Sequence, residues 1–524
     1  MLDLAGKIEK INTIKSMSLF IDELRILASN NKSNNEILDI IDFAIQRSRE
    51  LIDKKSLVKL FEIKISQIEH LKERLSEIEQ IVQQMKDMSE EIGYMGGLAL
   101  AYNIEWYLER YKGKKEKSLK ALENSMNYVN QYLNPEEYEY NVCCYSFAAE
   151  NWFSSRDLVS SSILEKCSNY FYNNNFYRSY IQSLSILLVI YQQTQNKNKS
   201  MDLTRQILER RGFLSTLPDD LKSLVHFFIG FSQELSFNLQ IAEEHLQEVR
   251  KLLKPIYGDS IYSSYYLTAL SYLSATFALQ GKLELAYYQM KEVDVLIDNK
   301  LEMSYLDDFS KEQMKHIFNL TKFYIHSRLH NFDIENLREL IQKIQGNISK
   351  YYSNSILLSE FLLNANLSKE DLIQIRNLQN PSTKRVEHIL NYLIDRVDCI
   401  EQKQIIDLIN VLKTRPAADR MTFVERAFAD LLAAQEYFKL ERYTEIYPLL
   451  RKYKNQLHNI EVLELRIFME AFIQIGAFKN GDPMGPALQY LAIKKCKYQG
   501  FSRLENKLLN YLELQKREVL KWLD

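Results

Sequence analysis

Glycine and proline are scarce in this chain, whose 524 residues include 14 glycines and 8 prolines. Average usage would be roughly 7% and 5%. Sheets and their hairpins depend on such turn residues, so their scarcity favours a helical protein. Long apolar runs are also lacking, because no stretch reaches the roughly 18 apolar residues that a membrane-spanning helix needs. The sequence therefore predicts an all-α protein that is not inserted into a membrane.

Cysteine and net charge are low as well. The 67 basic residues nearly balance the 69 acidic ones, so no overall field attracts nucleic acid directly. Residues 1–10 lack the apolar core of a signal peptide. An odd, irregularly spaced set of cysteines argues against a disulfide framework and for a reducing, cytoplasmic location. The five are Cys143, Cys144, Cys167, Cys399 and Cys496.

Small residues recur instead at nearly equal intervals. They are Ser76, Ser118, Ser160, Ser200, Ala242 and Ala286. A period between about 20 and 50 residues is the signature of a repeat architecture. Each small residue follows one helix-like segment and begins another, so we expect it where two helices approach closely. The same register reaches Ile446 and Ala487 near the C-terminus.

The clearest repeat unit covers residues 267–293, and the next clearest covers 223–249. In the first, Gly281 separates two segments with helical apolar spacing, which predicts an αα-hairpin. The positions that carry the pattern are Leu270, Leu273, Ser274, Phe277, Ala286, Met290 and Val293. Their order of large, small and aromatic residues resembles the tetratricopeptide repeat (TPR).

The resemblance extends loosely over residues 57–500, with two departures from the family pattern. The unit is 40–44 residues rather than the family's 34, and the usual loop proline is mostly missing. The chain is thus similar to long-unit TPR variants, which implies a right-handed superhelix of helical hairpins. We divide it into a helical cap at 1–56, regular repeats at 57–312, degenerate repeats or an insertion at 313–419, and C-terminal repeats with a capping helix at 420–524.

Residues with catalytic or metal-binding potential form no convincing constellation. His326 and His330 share a helical spacing and His316 precedes them, but the glutamate of a zinc-protease motif is missing. Cys496 lies among three lysines that would lower its pKa, although an ordinary surface thiol is the alternative. Phosphate-binding glycine loops are also lacking. We therefore expect no catalytic residue, no metal site and no cofactor.

The TPR resemblance implies a concave groove lined by the first helix of each hairpin. Transferring that pattern to this chain gives seven candidate partner-binding residues. They are Asn103, Tyr107, Arg110, Tyr145, Trp152, Phe227 and Phe231. Aromatic and arginine side chains are favoured in binding hot spots. A shift of one residue in the longer repeat would instead place them in the core, and the sequence leaves both possibilities open.

The function expected from these observations is a non-catalytic scaffold or adaptor that binds a peptide or protein segment in the groove. The alternative is a regulatory TPR protein that changes conformation on binding a signal peptide or protein and controls a partner enzyme. The fold alone does not choose between them. The sequence specifies neither the partner nor the oligomeric state.

Overall fold

The computed structural model describes residues 11–31, 35–68, 74–155, 157–193, 197–209, 217–235, 237–255, 263–298, 401–414, 423–482 and 485–511, with a few isolated positions. Throughout these ranges the regular structure is helical, with no strand. The first ten helices are α1 (Ile14–Asn30), α2 (Asn35–Glu50), α3 (Lys54–Ile68), α4 (Leu75–Ile92), α5 (Met95–Tyr111), α6 (Lys115–Tyr132), α7 (Tyr138–Ser155), α8 (Val159–Asn173), α9 (Tyr177–Gln193) and α10 (Lys197–Glu209).

The second half continues in the same way. Its helices are α11 (Asp219–Leu235), α12 (Leu239–Leu253), α13 (Ser263–Leu279), α14 (Leu283–Asp298), α15 (Gln402–Thr414), α16 (Phe423–Lys439), α17 (Tyr443–Leu450), α18 (Leu463–Lys479), α19 (Gly485–Tyr498) and α20 (Ser502–Asn510). A 3₁₀ helix, Arg451–Asn459, follows α17. The predicted 313–419 segment lies outside the described residues, apart from α15 and isolated positions.

Many of the connections between these helices use the same turn. A residue with positive φ ends the helix, and its amide and the next amide bond back to helical carbonyls. At Gly281, for example, the amide donates to Ala278 O at 3.0 Å, and the amide of Lys282 donates to Phe277 O at 2.8 Å. This is the Schellman motif, for which glycine is preferred. In the described residues the positive-φ positions are Ile52, Gly93, Gly113, Asn175, Phe237, Gly281, Glu441, Gly481 and Gly500.

Most helices pack against the next one along the chain, and the first helices of successive hairpins also touch. Thus α5 packs against both α6 and α7, and α11 against both α12 and α13. Such nearest-neighbour packing defines a solenoid. The predicted all-α solenoid is therefore confirmed.

The recurring small residues lie at close helix contacts in most units. Ser118 Oγ donates to Trp106 O at 3.1 Å, and Ser274 Oγ donates to Ala286 O at 2.8 Å. Ser160, Ser200 and Ala242 are buried as well, and so is Ile446. The first and last members of the series differ, since Ser76 and Ala487 are exposed. Ser76 and Ala487 lie in the first turn of α4 and of α19. The predicted close contact between two helices is therefore wrong at these two positions.

Helix α1 departs from simple stacking because it packs against both α3 and α9. Its C-terminal end meets the start of α9, where Asn30 Nδ2 donates to Asn175 O at 2.8 Å. Arg178 Nε donates to Ser29 O at 3.1 Å in the same contact. Apolar residues of α1 share one hydrophobic core with α3, α7 and α9. The N-terminal helix therefore joins hairpins that are far apart in the sequence.

A second long-range contact joins the C-terminal hairpins to the middle of the chain. The amide of Gln240, at the start of α12, donates to Glu461 Oε2 at 2.8 Å. The turn at Gly281 lies against the side chains of Leu463 and Phe501. One hydrophobic core accordingly contains residues from 227–296 and from 424–508.

Candidate functional site

Helix α5 carries three of the seven predicted groove residues. Asn103, Tyr107 and Arg110 fall on one side of α5, because residues four and seven apart share a helix face. Arg110 is exposed, Tyr107 is half-buried and Asn103 is buried. The three positions therefore run from the interior to the surface along one face of the helix.

Arg110 links this face to α7. Its Nη1 donates to Glu150 Oε2 at 2.9 Å, and its side chain is 40% exposed. Its guanidinium also lies over the Trp106 ring, 5.8 Å from the centroid. The rings of Tyr107 and Tyr111 are 6.5 Å apart. We call the surface formed by Tyr107, Arg110, Tyr111 and Glu150 the α5–α7 ledge.

Two buried polar atoms lie on α5 beside this ledge. Asn103 Oδ1 and Trp106 Nε1 have no hydrogen-bond partner within the described chain, and the residues are 8% and 9% exposed. One atom is an acceptor and the other a donor. A buried polar group without a partner costs about 1–3 kcal/mol. Other helices also carry single atoms of this kind, but here an acceptor and a donor lie one turn apart beside an accessible surface, which makes α5 a functional candidate.

Of the other four predicted groove residues, three are buried and one is half-buried. Trp152 is 2% exposed, and Phe227 and Phe231 are 7% and 3% exposed. The last two stack with ring centroids 6.3 Å apart. Tyr145 is half-buried, with its ring 6.2 Å from that of Phe171. Their location agrees with the core alternative. Their role in binding stays a prediction, and the ledge does not include them.

A buried charged group, which the sequence did not suggest, joins α1 to three later elements. Arg25 Nε lies 3.2 Å from Glu62 Oε2 on α3, and its Nη1 lies 3.6 Å from Glu139 Oε1 on α7. The guanidinium also stacks on Tyr138, 4.2 Å from the ring centroid. Tyr94 OH donates to Glu139 Oε1 at 2.7 Å. We call these five residues the Arg25 cluster.

The charges of this cluster are set by burial and by mutual attraction. Burial opposes the charge of Arg25, but Glu62 and Glu139 outweigh it and raise the pKa of Arg25. Burial also tends to raise the pKa of Glu139, yet Arg25 and the Tyr94 hydroxyl lower it overall. Burial raises the pKa of both tyrosines, which therefore remain protonated donors. The arrangement positions helices and provides no activated nucleophile.

Four of the five cysteines lie in the described residues, and burial disfavours the reactive thiolate form of each; Cys399 lies outside the described residues. Cys143, Cys144, Cys167 and Cys496 are buried free thiols. Burial raises the pKa of Cys144 to about 11 and raises that of the others further. Cys496 has 0% exposure, so both sequence interpretations of it are wrong. Its lysine neighbours lie on other sides of α19, and burial outweighs their charge.

The described ranges hold no group of three or more metal-binding side chains. His316, His326 and His330 lie outside those ranges. A cleft of about 340 Å³ opens between α8, α9 and α10. Tyr172, Tyr180 and Lys199 contribute to its walls, well apart from the ledge in sequence. No described helix is both long and apolar enough to cross a membrane.

Comparison with known proteins does not extend these observations. No protein-family model matches the chain, and no curated protein matches it.

Proposed function

We propose that this protein is a non-catalytic scaffold of long-unit TPR-like hairpins that binds a segment of a protein partner on the α5–α7 ledge. The unsatisfied Asn103 Oδ1 and Trp106 Nε1 beside the ledge carry this proposal. A peptide backbone offers an N–H donor and a C=O acceptor. A bound peptide backbone can therefore pair with both Asn103 Oδ1 and Trp106 Nε1, once neighbouring side chains move and expose these atoms.

The ledge itself suits a peptide contact. Tyr107 and Tyr111 present aromatic area, and Arg110 is partly exposed beside them. Tyrosine and arginine dominate the energetics of many interfaces. Because Arg110 is already paired with Glu150 at 2.9 Å, a partner carboxylate can share the guanidinium without leaving a buried charge behind. Free thiols at the described cysteines further favour a reducing compartment.

The test starts with a photo-crosslinking amino acid at position 107, compared with one at exposed Glu123 on α6. The segment captured at position 107 is then synthesised, and its affinity is measured by calorimetry. The Y107A/R110A variant should bind at least about 10-fold more weakly, which corresponds to about 1.4 kcal/mol. The matched K120A/E123A variant, altered on the exposed face of α6, should bind like the wild type. Equal crosslinking at both positions, or unchanged affinity of Y107A/R110A, would reject the proposal.

The second candidate is a regulator whose curvature changes on binding and that controls a partner enzyme. It is favoured by α1, which contacts both α3 and α9, so a change in hairpin stacking must also move α1. Small-angle scattering with and without the crosslinked peptide separates the two functions. A changed profile supports the regulator, and an identical profile supports the static scaffold.

A further inference from the structure

Two histidines face each other across the α11–α12 hairpin. His226 on α11 and His245 on α12 approach with their Nδ1 atoms 2.9 Å apart. Their ring centroids are 5.0 Å apart. One ring must donate the shared hydrogen and the other must accept it. Both side chains are half-buried, so solvent and small ions can reach them.

The separation is that of a hydrogen bond, and it brings two imidazole nitrogens within reach of one metal ion. Small rotations of the two rings would let both Nδ1 lone pairs converge on an ion at metal–nitrogen distances of about 2.0–2.1 Å. Among divalent first-row metals, nitrogen ligands bind Cu²⁺ more tightly than Ni²⁺. We propose that His226 and His245 bind Cu²⁺, or less tightly Ni²⁺, between α11 and α12, with water at the remaining positions.

The imidazoles are held in the form that binds metal. Burial is the main cause that lowers the pKa of His226, and it lowers that of His245 to about 4 together with the charge of His226. Neutral imidazole is the ligand form. When the ion takes both Nδ1 lone pairs, the hydrogen on one Nδ1 moves through solvent to Nε2 of the same ring. The step therefore needs no oxidant and leaves both rings neutral.

The surrounding charges are compatible with a cation. Glu248 lies one turn after His245 and favours positive charge at both rings. Lys251 opposes this at His226, and its Nζ donates to Glu248 Oε1 at 2.9 Å. Lys251 is largely exposed, with 73% of its side chain accessible, so it can turn away. Glu248 can then compensate the charge of the ion through a bound water.

Binding is tested by equilibrium dialysis of the full chain against Cu²⁺ and Ni²⁺ in a non-chelating buffer. An H326N/H330N background removes the other closely spaced histidine pair. In that background, H226N should lose one bound equivalent. Asparagine can place a polar atom near the former Nδ1 and keep a hydrogen bond to His245, so the hairpin should survive. The exposed His458 provides the control, because H458N should keep that equivalent.

A spectroscopic measurement counts the coordinated nitrogens directly. Electron paramagnetic resonance of the Cu²⁺-loaded H326N/H330N chain should show two coordinated nitrogens from imidazole, and one in H226N. Ni²⁺ should raise the midpoint of thermal unfolding in that background but not after H226N is added. A spectrum with one nitrogen or none before H226N is introduced, or equal stoichiometry with and without H226N, would overturn the proposal.

Discussion

At the residue scale, Arg25 shows how a solenoid accommodates a charge that is almost fully buried. Its side chain is 5% exposed, and it faces two carboxylates rather than one. Lys59 lies close enough for its charge to act on Arg25 and Glu139, and burial is the main cause that lowers its pKa. The charges of the cluster therefore compensate one another as a group. Removing one charged member should lower the free energy of unfolding by more than the loss of a single contact would.

Replacement of Arg25 by methionine should lower the free energy of unfolding by about 3–5 kcal/mol, because it leaves the carboxylates of Glu62 and Glu139 buried without their cation. Chemical denaturation measures this change. Adding E62Q and E139Q to R25M should recover most of the loss, since no buried carboxylate is then left without its cation. As a control, R205M removes the exposed pair with Asp202 and should change stability by about 0–1 kcal/mol. A small effect of R25M alone would contradict the assigned role.

At the scale of helices, close crossings depend on residues that have little or no side chain. A Cβ at Gly476 would lie 2.8 Å from the backbone nitrogen of Tyr447, where α18 crosses α17. A Cβ at Gly230 would lie 2.8 Å from Cγ of Leu246, where α11 crosses α12. The backbone of Tyr447 can move less readily than the side chain of Leu246. We therefore expect an alanine to destabilise the protein more at Gly476 than at Gly230.

The G476A variant should be destabilised by about 1–3 kcal/mol through overpacking, despite the higher helix propensity of alanine. The matched G230A variant should lose less or remain neutral, because Leu246 can repack and alanine contributes up to about 1 kcal/mol of propensity. Urea unfolding of both variants provides the comparison. An equal or larger loss in G230A would show that the α17–α18 crossing is not limited by backbone contact.

At the scale of the whole molecule, the solenoid is not stabilised by neighbouring repeats alone. The contact of Gly281 with Leu463 joins hairpins more than 180 residues apart in sequence, near the hydrogen bond from Gln240 to Glu461. A Cβ at Gly281 would lie 2.4 Å from Leu463 Cδ2, whereas a Cβ at Gly481 would meet nothing within 4 Å. Both glycines have positive φ, so they form a matched pair.

Both G281A and G481A should lose about 1–2 kcal/mol through backbone strain at positive φ. G281A should lose more, because its methyl group also displaces the C-terminal hairpins from the turn. Thermal unfolding measures the difference, and limited proteolysis should show faster cleavage of residues 423–511 in G281A only. Identical behaviour of the two variants would mean that the long-range contact contributes nothing to stability.

The helical class and the hairpin repeat could be predicted from the amino-acid sequence alone. Scarce turn residues and a period near 42 residues sufficed, because helix propensity and the need for small residues at close crossings are local properties. Ser118 and Ala286 lie at such contacts. The preference of glycine for positive φ also predicted the turn at Gly281. The turns at Asn175, Phe237 and Glu441 were not predicted, because these residues adopt positive φ without being glycine.

Which of the predicted groove residues stay accessible depends on how the hairpins pack together. Judged by residue type alone, Trp152 and Arg110 are equally good hot-spot candidates. In the structure, Trp152 is buried and Arg110 is exposed. Burial depends on which helices cover a face, and those helices come from other hairpins. Likewise, Arg25 meets Glu62 and Glu139 only because α1 packs across several hairpins. The repeat period follows from the sequence of each hairpin, whereas these contacts depend on how hairpins that are distant in the sequence pack against each other.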